Sequence, residues 1–150
     1  MHINNHLLLQ GFLFVEIIKM VRSLYPAAPV LVVDDEVQFL ASAAFILKGA
    51  GINNVVTCSD SRRVMTLMEA QRFSAVLLDL FMPHIPGKEL LPEILTRFPG
   101  TPVIIISAAT DTETSVQCMH QGALAYLLKP LHSDSLIAVV KQAAAQAWKD

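Results

Sequence analysis

The chain has 150 residues, a length typical of a single domain with its own hydrophobic core. Hydrophobic residues make up 53% of it and charged residues only 16%, a composition that excludes an intrinsically disordered chain. The formal net charge of −2, with no basic stripe in the sequence, argues against direct nucleic-acid binding by this chain.

An apolar segment, HLLLQGFLFVEIIKMV, occupies residues 6–21. Gln10, Glu16 and Lys19 interrupt it, so it is too short and too polar to predict a transmembrane segment. It has neither the basic leader nor the cleavage site of a signal peptide. Residues 1–28 are therefore an N-terminal extension with three interpretations. The first interpretation is a helix that packs on the domain or on a second copy in a homodimer. The second is a membrane-surface anchor, and the third is a translation start placed too far upstream.

From residue 29 onward, short apolar runs alternate with helical patterns. Runs that are apolar on both faces are typical of parallel strands buried between helices, and the alternation with helices indicates right-handed crossovers. The sequence therefore predicts one doubly wound α/β domain at residues 29–148. Its predicted strands are 29–33, 54–58, 74–79, 102–107 and 125–128, and its predicted helices lie near 37–49, 60–71, 87–97, 112–121 and 134–148.

Capping residues predict where three of these helices begin or end. The pairs Asp-Ser at 60–61 and Ser-Asp at 133–134 are N-cap signals, because short polar side chains accept hydrogen bonds from free backbone N–H groups. The Gly-Ala-Gly run at 49–51 predicts the end of the helix that begins near residue 37.

The two cysteines, Cys58 and Cys118, lie far apart and form no CxxC motif. This spacing is typical of thiols in or near the core of a protein in a reducing compartment, so it predicts a cytoplasmic location.

Polar residues follow the carboxyl ends of the predicted strands, the edge where doubly wound sheets bind ligands. Each has an ordinary explanation on its own: an acid can cap a helix, a serine can end a strand, and a Lys-Pro pair, here a candidate cis peptide, can form a loop. Their convergence on one edge predicts a functional site. The residues are Asp34, Asp35, Glu36, Asp79, Ser107, Lys129 and Pro130.

Three consecutive carboxylates, Asp34, Asp35 and Glu36, follow the first strand. Like charges about 4 Å apart repel by roughly 4 kcal/mol at the effective dielectric of a protein surface. This repulsion predicts a bound cation at the site. For Glu36, helix capping explains the residue equally well.

The segments VVDDE, LLDLFMP, PG, IIISAAT and GALAYLLKPL, in this order, closely resemble the chemotaxis-type (CheY-like) receiver domain of bacterial two-component response regulators. The resemblance covers residues 29–148. It implies a flavodoxin-like (βα)5 three-layer sandwich with strand order 2-1-3-4-5. It also implies a signalling domain and not an enzyme with a substrate of its own, since such a domain catalyses only its own aspartyl phosphorylation and dephosphorylation.

The resemblance also implies a role for each acid. Asp79 resembles the phosphoacceptor, the nucleophile that receives a phosphoryl group from a sensor histidine kinase or a histidine phosphotransfer protein. Asp34, Asp35, Asp79 and the backbone carbonyl of Phe81 resemble the ligands of Mg²⁺, or of Mn²⁺ in its place. Asp35 would bind the metal directly and Asp34 through water.

In the same family, Lys129 and Ser107 correspond to the groups that contact the phosphoryl oxygens. Ser107 and Tyr126 correspond to a switch pair: the hydroxyl moves toward the phosphate and the aromatic ring turns inward. The surface of the domain's fourth helix, fifth strand and fifth helix would then change and act on an output domain or a downstream protein. Gly87 and Pro130 correspond to turn residues. An ordinary half-buried strand residue remains the other interpretation of Tyr126.

Three other functions compete with this one. A phosphatase of the haloacid dehalogenase type needs a second acid where this chain has Phe81, and an FMN-binding flavodoxin needs a phosphate-binding loop where it has Asp34 and Asp35. A pseudo-receiver that only binds partners is the third alternative, although such proteins usually lose an acid or the lysine. No output module follows the last helix, so the receiver is either a stand-alone protein or part of a longer regulator or hybrid kinase.

Overall fold

The computed structural model of the chain describes residues 5–108 and 110–148. In these residues, five strands and five α-helices alternate after an N-terminal helix, as predicted. The strands are β1 (Val30–Val33), β2 (Val55–Cys58), β3 (Ala75–Asp79), β4 (Val103–Ser107) and β5 (Ala125–Leu128). The helices are α1 (Asn5–Arg22), α2 (Val37–Gly49), α3 (Val64–Ala70), α4 (Gly87–Arg97), α5 (Thr112–Gln121) and α6 (Ser133–Gln146).

The strands form one parallel sheet in the order β2-β1-β3-β4-β5. Every residue of β1, β3 and β4 is buried, because these central strands are covered on both faces and are apolar apart from their last residues, Asp79 in β3 and Ser107 in β4. β2 and β5 lie at the edges and are partly exposed. The predicted doubly wound, flavodoxin-like sandwich with strand order 2-1-3-4-5 is confirmed.

Two hydrophobic clusters, one on each face of the sheet, make up the core. On one face α2 and α6 cover the sheet, and on the other face α3, α4 and α5 cover it. Both cysteines are buried with free thiols, as expected: Cys58 ends β2 and Cys118 lies on α5. The two layers of helices hold the carboxyl ends of the strands in a fixed arrangement.

Helix boundaries differ from the predictions at three places, one in the helix expected at 60–71 and two in the last helix. The helix expected at 60–71 begins as a 3-10 turn, Ser61–Arg63, and α3 follows from Val64. The predicted cap at Asp60 is confirmed, since its side chain accepts a hydrogen bond from the Arg62 backbone N–H. The last helix begins at Ser133 with His132 at its N-cap and no side-chain capping bond, so the predicted cap at 133–134 is wrong. The predicted end at 49–51 is confirmed, since α2 stops at Gly49 and Gly51 has a φ of 85°.

The last helix also ends at Gln146, two residues before the predicted end at 148. The backbone of Trp148 leaves the helix with a φ of 62°, and its N–H donates to the carbonyl of Gly100 at 3.0 Å. The indole ring lies over Gly100, where a Cβ atom would clash with it. Tertiary packing therefore ends α6.

The N-terminal extension contains α1, whose described side chains are exposed apart from the half-buried Ile18. Large apolar side chains such as Leu7, Phe12 and Phe14 are more than half exposed. Most of the described surface of α1 therefore faces solvent. None of the described helices is long and apolar enough to cross a membrane.

Candidate functional site

The site forms where β1 and β3 end side by side. Their register pairs Val33 with Leu78, so the next residues, Asp34 and Asp79, emerge at the same edge of the sheet. Asp35 follows Asp34 in the turn before α2. The convergence of acids predicted from the sequence is therefore present.

Asp34, Asp35 and Asp79 each present a carboxylate oxygen, and these oxygens lie within 4.8 Å of one another. Asp34 and Asp79 are buried and Asp35 is exposed. Mg²⁺ and similar hard cations bind oxygen ligands, and in proteins they usually take one or two carboxylates and keep several waters. The donor set fits such a cation, with Asp35 on the side that faces solvent.

Lys129 supplies a positive charge to the site. Its ammonium lies 2.6 Å from Asp34 Oδ2 and 3.7 Å from Asp79 Oδ2, and its side chain is only 15% exposed. Burial on its own lowers the pKa of Lys129, but the hydrogen bond to Asp34 and the charges of Asp79, Asp34 and Glu36 outweigh it, so the pKa lies above its ordinary value. Lys129 is therefore a cation held against two buried acids.

The loop that carries Lys129 is fixed by the neighbouring strand. The backbone N–H of Lys129 donates to the carbonyl of Ser107 at 2.9 Å, which continues the pairing of β5 with β4. The bond from Lys129 to Pro130 is cis, as the Lys-Pro pair suggested.

The carboxyl group of Asp79 holds its proton more tightly than an ordinary aspartate does. Burial and the charge of Asp34 raise the pKa of Asp79 to about 6, against the opposing effects of Lys129 and of a hydrogen bond from the Phe81 backbone N–H. A buried carboxylate with a raised pKa among other acids is a frequent feature of functional sites. A cation bound among the three acids would favour the ionised form of Asp79.

Gly87 is the first residue of α4 and lies directly against the backbone of Asp79. A Cβ atom at this position would be 2.0 Å from the carbonyl oxygen of Asp79 and 2.8 Å from the Cα of Leu80. The N–H of Gly87 donates to the carbonyl of Leu80 at 2.9 Å. The φ of Gly87 is not positive, so its backbone conformation does not demand glycine. Glycine is required because two backbone segments approach closely at this point.

Ser61 holds the loop between β3 and α4 beside the site. Its buried hydroxyl donates to the carbonyl of Pro83 at 2.9 Å and accepts from the N–H of Ile85 at 3.1 Å. His84, between them, has a φ of 70°, a conformation that non-glycine residues rarely adopt. The hydroxyl therefore fixes the segment that leads from Asp79 to Gly87.

The predicted switch residues lie on two adjacent strands. Ser107 is buried at the end of β4, and Tyr126 is half-buried in β5, where it packs against the core beneath α3, α4 and α5. Tyr126 also lines a groove of about 630 Å³ between β5 and α5, together with Val116, Met119 and Leu128. The positions suit the predicted roles, which stay predictions.

Two residues near the site were not predicted from the sequence. Ser61 was predicted only as part of a helix cap, and no prediction was made for Phe39. The ring of Phe39 lies with its centroid 4.3 Å from the ammonium of Lys129. Phe39 lies in the first turn of α2, which begins at this edge of the sheet, and that position was the available signal.

Comparison with known proteins identifies the family. The family model of the response regulator receiver domain matches residues 30–141. Over 116 residues the chain is 36% identical to the transcriptional regulatory protein ZraR of Escherichia coli K12 and 37% identical to a putative NtrX-like response regulator of Rickettsia bellii. These alignments cover 77% and 76% of the chain but only 26% and 24% of the relatives. The chain thus spans about a quarter of the length of these relatives.

Among solved structures, the receiver domain of NtrX from Brucella abortus is similar with a TM-score of 0.73 and 32% sequence identity. This similarity covers 79% of the chain and 99% of that receiver domain. Fold, acid cluster and family model agree on the same segment. The chain therefore belongs to the response regulator receiver domain family and contains a CheY-like receiver domain of two-component signalling.

Proposed function

We propose that Asp79 accepts a phosphoryl group from a phosphohistidine in a reaction that requires a divalent cation. The observation that carries this proposal is the arrangement of one buried nucleophilic carboxylate, Asp79, beside two further acids and the ammonium of Lys129. Carboxylates form acyl phosphates as covalent intermediates in other phosphoryl-transfer proteins. The arrangement supports phosphoryl transfer better than partner binding alone, since simple binding requires no such cluster of buried charges.

In the proposed reaction an Asp79 oxygen forms a bond to phosphorus while the bond from phosphorus to the donor histidine nitrogen breaks. The nitrogen leaves with the bonding electron pair and takes up a proton. Phosphoryl transfer depends mainly on positioning and on neutralisation of charge. Asp79 must be ionised to attack, and positive charge at the site favours this form against burial and the charge of Asp34, which raise its pKa.

The other residues of the site have matching roles. Asp34, Asp35 and the backbone carbonyl of Phe81 would hold Mg²⁺ or Mn²⁺ together with Asp79, and the bound cation would neutralise charge on the phosphoryl oxygens. Lys129 would bind one of these oxygens, for which its ammonium needs only to shift from Asp34. Ser107 would donate its hydroxyl to another. The domain's catalysis would be limited to its own phosphorylation and dephosphorylation.

We further propose that phosphorylation acts through the surface formed by α5, β5 and α6. Ser107 would move toward the phosphoryl group and Tyr126 would turn inward, as the family resemblance implies. The groove between β5 and α5 exposes Val116 to 47%, Met119 to 44% and Leu128 to 48%. Such an apolar surface fits an output domain or a downstream protein, and the phosphoryl donor would be a sensor histidine kinase or a histidine phosphotransfer protein.

Residues 1–28 stay outside the receiver in this proposal, with the receiver at 29–148. The exposed apolar side chains of α1 support a homodimer formed through this helix. The test is to compare the mass in solution of the full chain with that of a chain without residues 1–19.

The free, buried thiols of Cys58 and Cys118 support a reducing, cytoplasmic location.

The experiment that tests the proposed function is the intact mass of the protein after incubation with acetyl phosphate and Mg²⁺. The parent is expected to gain one phosphoryl group, and this gain is expected to disappear with EDTA and in Asp79→Ala. Asp134→Ala, which removes an exposed acid on α6, is the matched control and is expected to behave as the parent. A parent that gains no mass from acetyl phosphate or from a histidine kinase would favour a pseudo-receiver.

A further inference from the structure

Phe39 makes an aromatic contact with the lysine of the site. The centroid of its ring lies 4.3 Å from Lys129 Nζ, within the range in which a cation is attracted to the face of an aromatic ring. Phe39 is half-buried on α2, and it packs against the core on the face covered by α2 and α6. The contact therefore joins a side chain held by the core to the charged group of Lys129.

The ammonium of Lys129 is bounded by three groups. Asp34 Oδ2 accepts its hydrogen bond at 2.6 Å, Asp79 Oδ2 lies at 3.7 Å, and the ring of Phe39 lies beside it. The two carboxylates are the same groups that a divalent cation would share. Their attraction for the ammonium therefore changes when the cation binds and again when Asp79 carries a phosphoryl group.

The attraction of the Phe39 ring does not change in this way. The ring is uncharged and has no part in the acid cluster, so neither a bound cation nor a phosphoryl group on Asp79 alters the charge distribution that the ring presents to the ammonium. The ammonium has three N–H groups, so contact with the ring face still leaves N–H groups available for oxygen acceptors. A group with these properties can hold a catalytic cation in place while its hydrogen-bond partners are exchanged.

We propose that Phe39 is a positioning residue that holds the ammonium of Lys129 at the phosphoryl site through the face of its ring. This inference rests on the proposed function, because it assigns to Phe39 a part in the same reaction. If Phe39 only filled apolar space in the core, a leucine would serve equally well. The proposed role requires an aromatic ring.

The test uses three variants. Phe39→Leu keeps an apolar side chain and removes the ring, and Phe39→Tyr keeps the ring. Phe45→Leu makes the same change on the same helix at a side chain that is 80% exposed, and it serves as the matched control. Thermal unfolding of each variant shows whether the fold is retained.

Two measurements are made on each protein. The first is the rate of phosphorylation by acetyl phosphate at saturating Mg²⁺, so that metal binding does not limit the rate. The second is the proton chemical shift of the Cε methylene of Lys129 without metal or phosphodonor. Protons over the face of a ring resonate upfield, and mere support of the fold by Phe39 would not produce this shift.

In the parent an upfield shift at Lys129 is expected. In Phe39→Leu the shift should be lost and the rate should fall about three- to tenfold, the size expected for a partly buried cation–π contact. Phe39→Tyr and Phe45→Leu should keep both the shift and the rate of the parent.

Three results would overturn the inference. They are a parent without the upfield shift, a Phe39→Leu rate within about twofold of that of Phe45→Leu, and a Phe39→Tyr that keeps the shift but is as slow as Phe39→Leu. A parent that accepts no phosphoryl group overturns the proposed function and this inference together. A phosphorylated parent with an unaffected Phe39→Leu overturns the inference alone.

Discussion

Asp34 and Lys129, 95 positions apart in the chain, form an ion pair of 2.6 Å at the carboxyl edge of the sheet. Asp34 is completely buried, and its other oxygen accepts the backbone N–H of Glu36 at 2.8 Å. Both carboxylate oxygens of Asp34 thus have hydrogen-bond partners within the unphosphorylated chain, whereas the exposed Asp35 faces solvent. Direct binding of a metal by Asp35, with Asp34 bound through water, stays a prediction.

Replacement of Lys129 by methionine should destabilise the protein at neutral and higher pH. Removing one partner of a buried ion pair leaves the other charge uncompensated, so the free energy of unfolding should fall by about 2–4 kcal/mol near pH 8. The loss should shrink toward about pH 5, where Asp79, with its pKa of about 6, is already protonated.

Urea unfolding of Lys129→Met at several pH values measures this loss, and Lys141→Met on the exposed side of α6 is the control. Added Mg²⁺ should stabilise Lys129→Met more than the parent, because a bound cation replaces the missing charge. A loss that is the same at both pH values would contradict the proposed link between Lys129 and the ionised Asp79.

Asp79→Asn should stabilise the metal-free protein above about pH 7. The pKa of Asp79 is raised from 3.8 to about 6, so the folded state binds a proton that the unfolded state has lost. The parent therefore loses stability as the pH rises from about 4 through about 6, and asparagine avoids this loss. The expected gain is about 1–3 kcal/mol near pH 8 and close to zero near pH 4.

Chemical unfolding across this pH range gives the comparison, and Asp134→Asn, an exposed aspartate of α6, should give no such gain. If parent and Asp79→Asn lose stability in parallel between about pH 4 and pH 7, burial does not penalise the ionised form of Asp79.

Asp35→Asn should weaken Mg²⁺ binding with little change in the stability of the metal-free protein. Because Asp35 is exposed, its replacement should change the free energy of unfolding little. Asp35 is nevertheless one of the three carboxylates of the cluster. Loss of one charged ligand should reduce the affinity for Mg²⁺ by about tenfold or more.

Calorimetric titration with Mg²⁺ measures this affinity. Glu89→Gln, which removes an exposed acid on α4, is the control and should bind Mg²⁺ as the parent does. Equal Mg²⁺ affinities for Asp35→Asn and Glu89→Gln would show that the cluster is not the metal site.

Gly87→Ala should be strongly destabilising, because its Cβ would lie 2.0 Å from the carbonyl oxygen of Asp79. The backbone around Asp79 must move to relieve the clash, at a cost of at least about 2 kcal/mol, and phosphorylation by acetyl phosphate should slow as well. Gly49→Ala, where no atom lies within 4 Å of the new Cβ, should be neutral or stabilising by up to about 1 kcal/mol. Similar unfolding midpoints for the two variants would contradict the close approach at Gly87.

The strands and the acidic edge were predictable because they depend on local sequence. Apolar runs such as those of β3 and β4 can only be buried, and the carboxyl ends of parallel strands always meet at one edge. Once the strands were assigned as parallel, it followed that Asp34, Asp79 and Lys129 lie at the same edge of the sheet.

Contacts between distant elements were not predictable in this way. The sequence does not show that Trp148 packs on Gly100 and ends α6, or that Ser61 holds the loop from Pro83 to Ile85. The contact of Phe39 with Lys129 likewise depends on the distance between α2 and the loop after β5. These positions are set by tertiary packing, which overrides local preference.

The measurement that tests the central claim most directly is the location of the phosphoryl group. After incubation with acetyl phosphate and Mg²⁺, borohydride reduces an aspartyl phosphate to homoserine, and peptide mass spectrometry then identifies the converted residue. Conversion at Asp79 alone, absent when EDTA is added, is the expected result. Conversion at another residue, or none in a protein that binds Mg²⁺ through Asp35, would contradict the assignment of Asp79 as the phosphoacceptor.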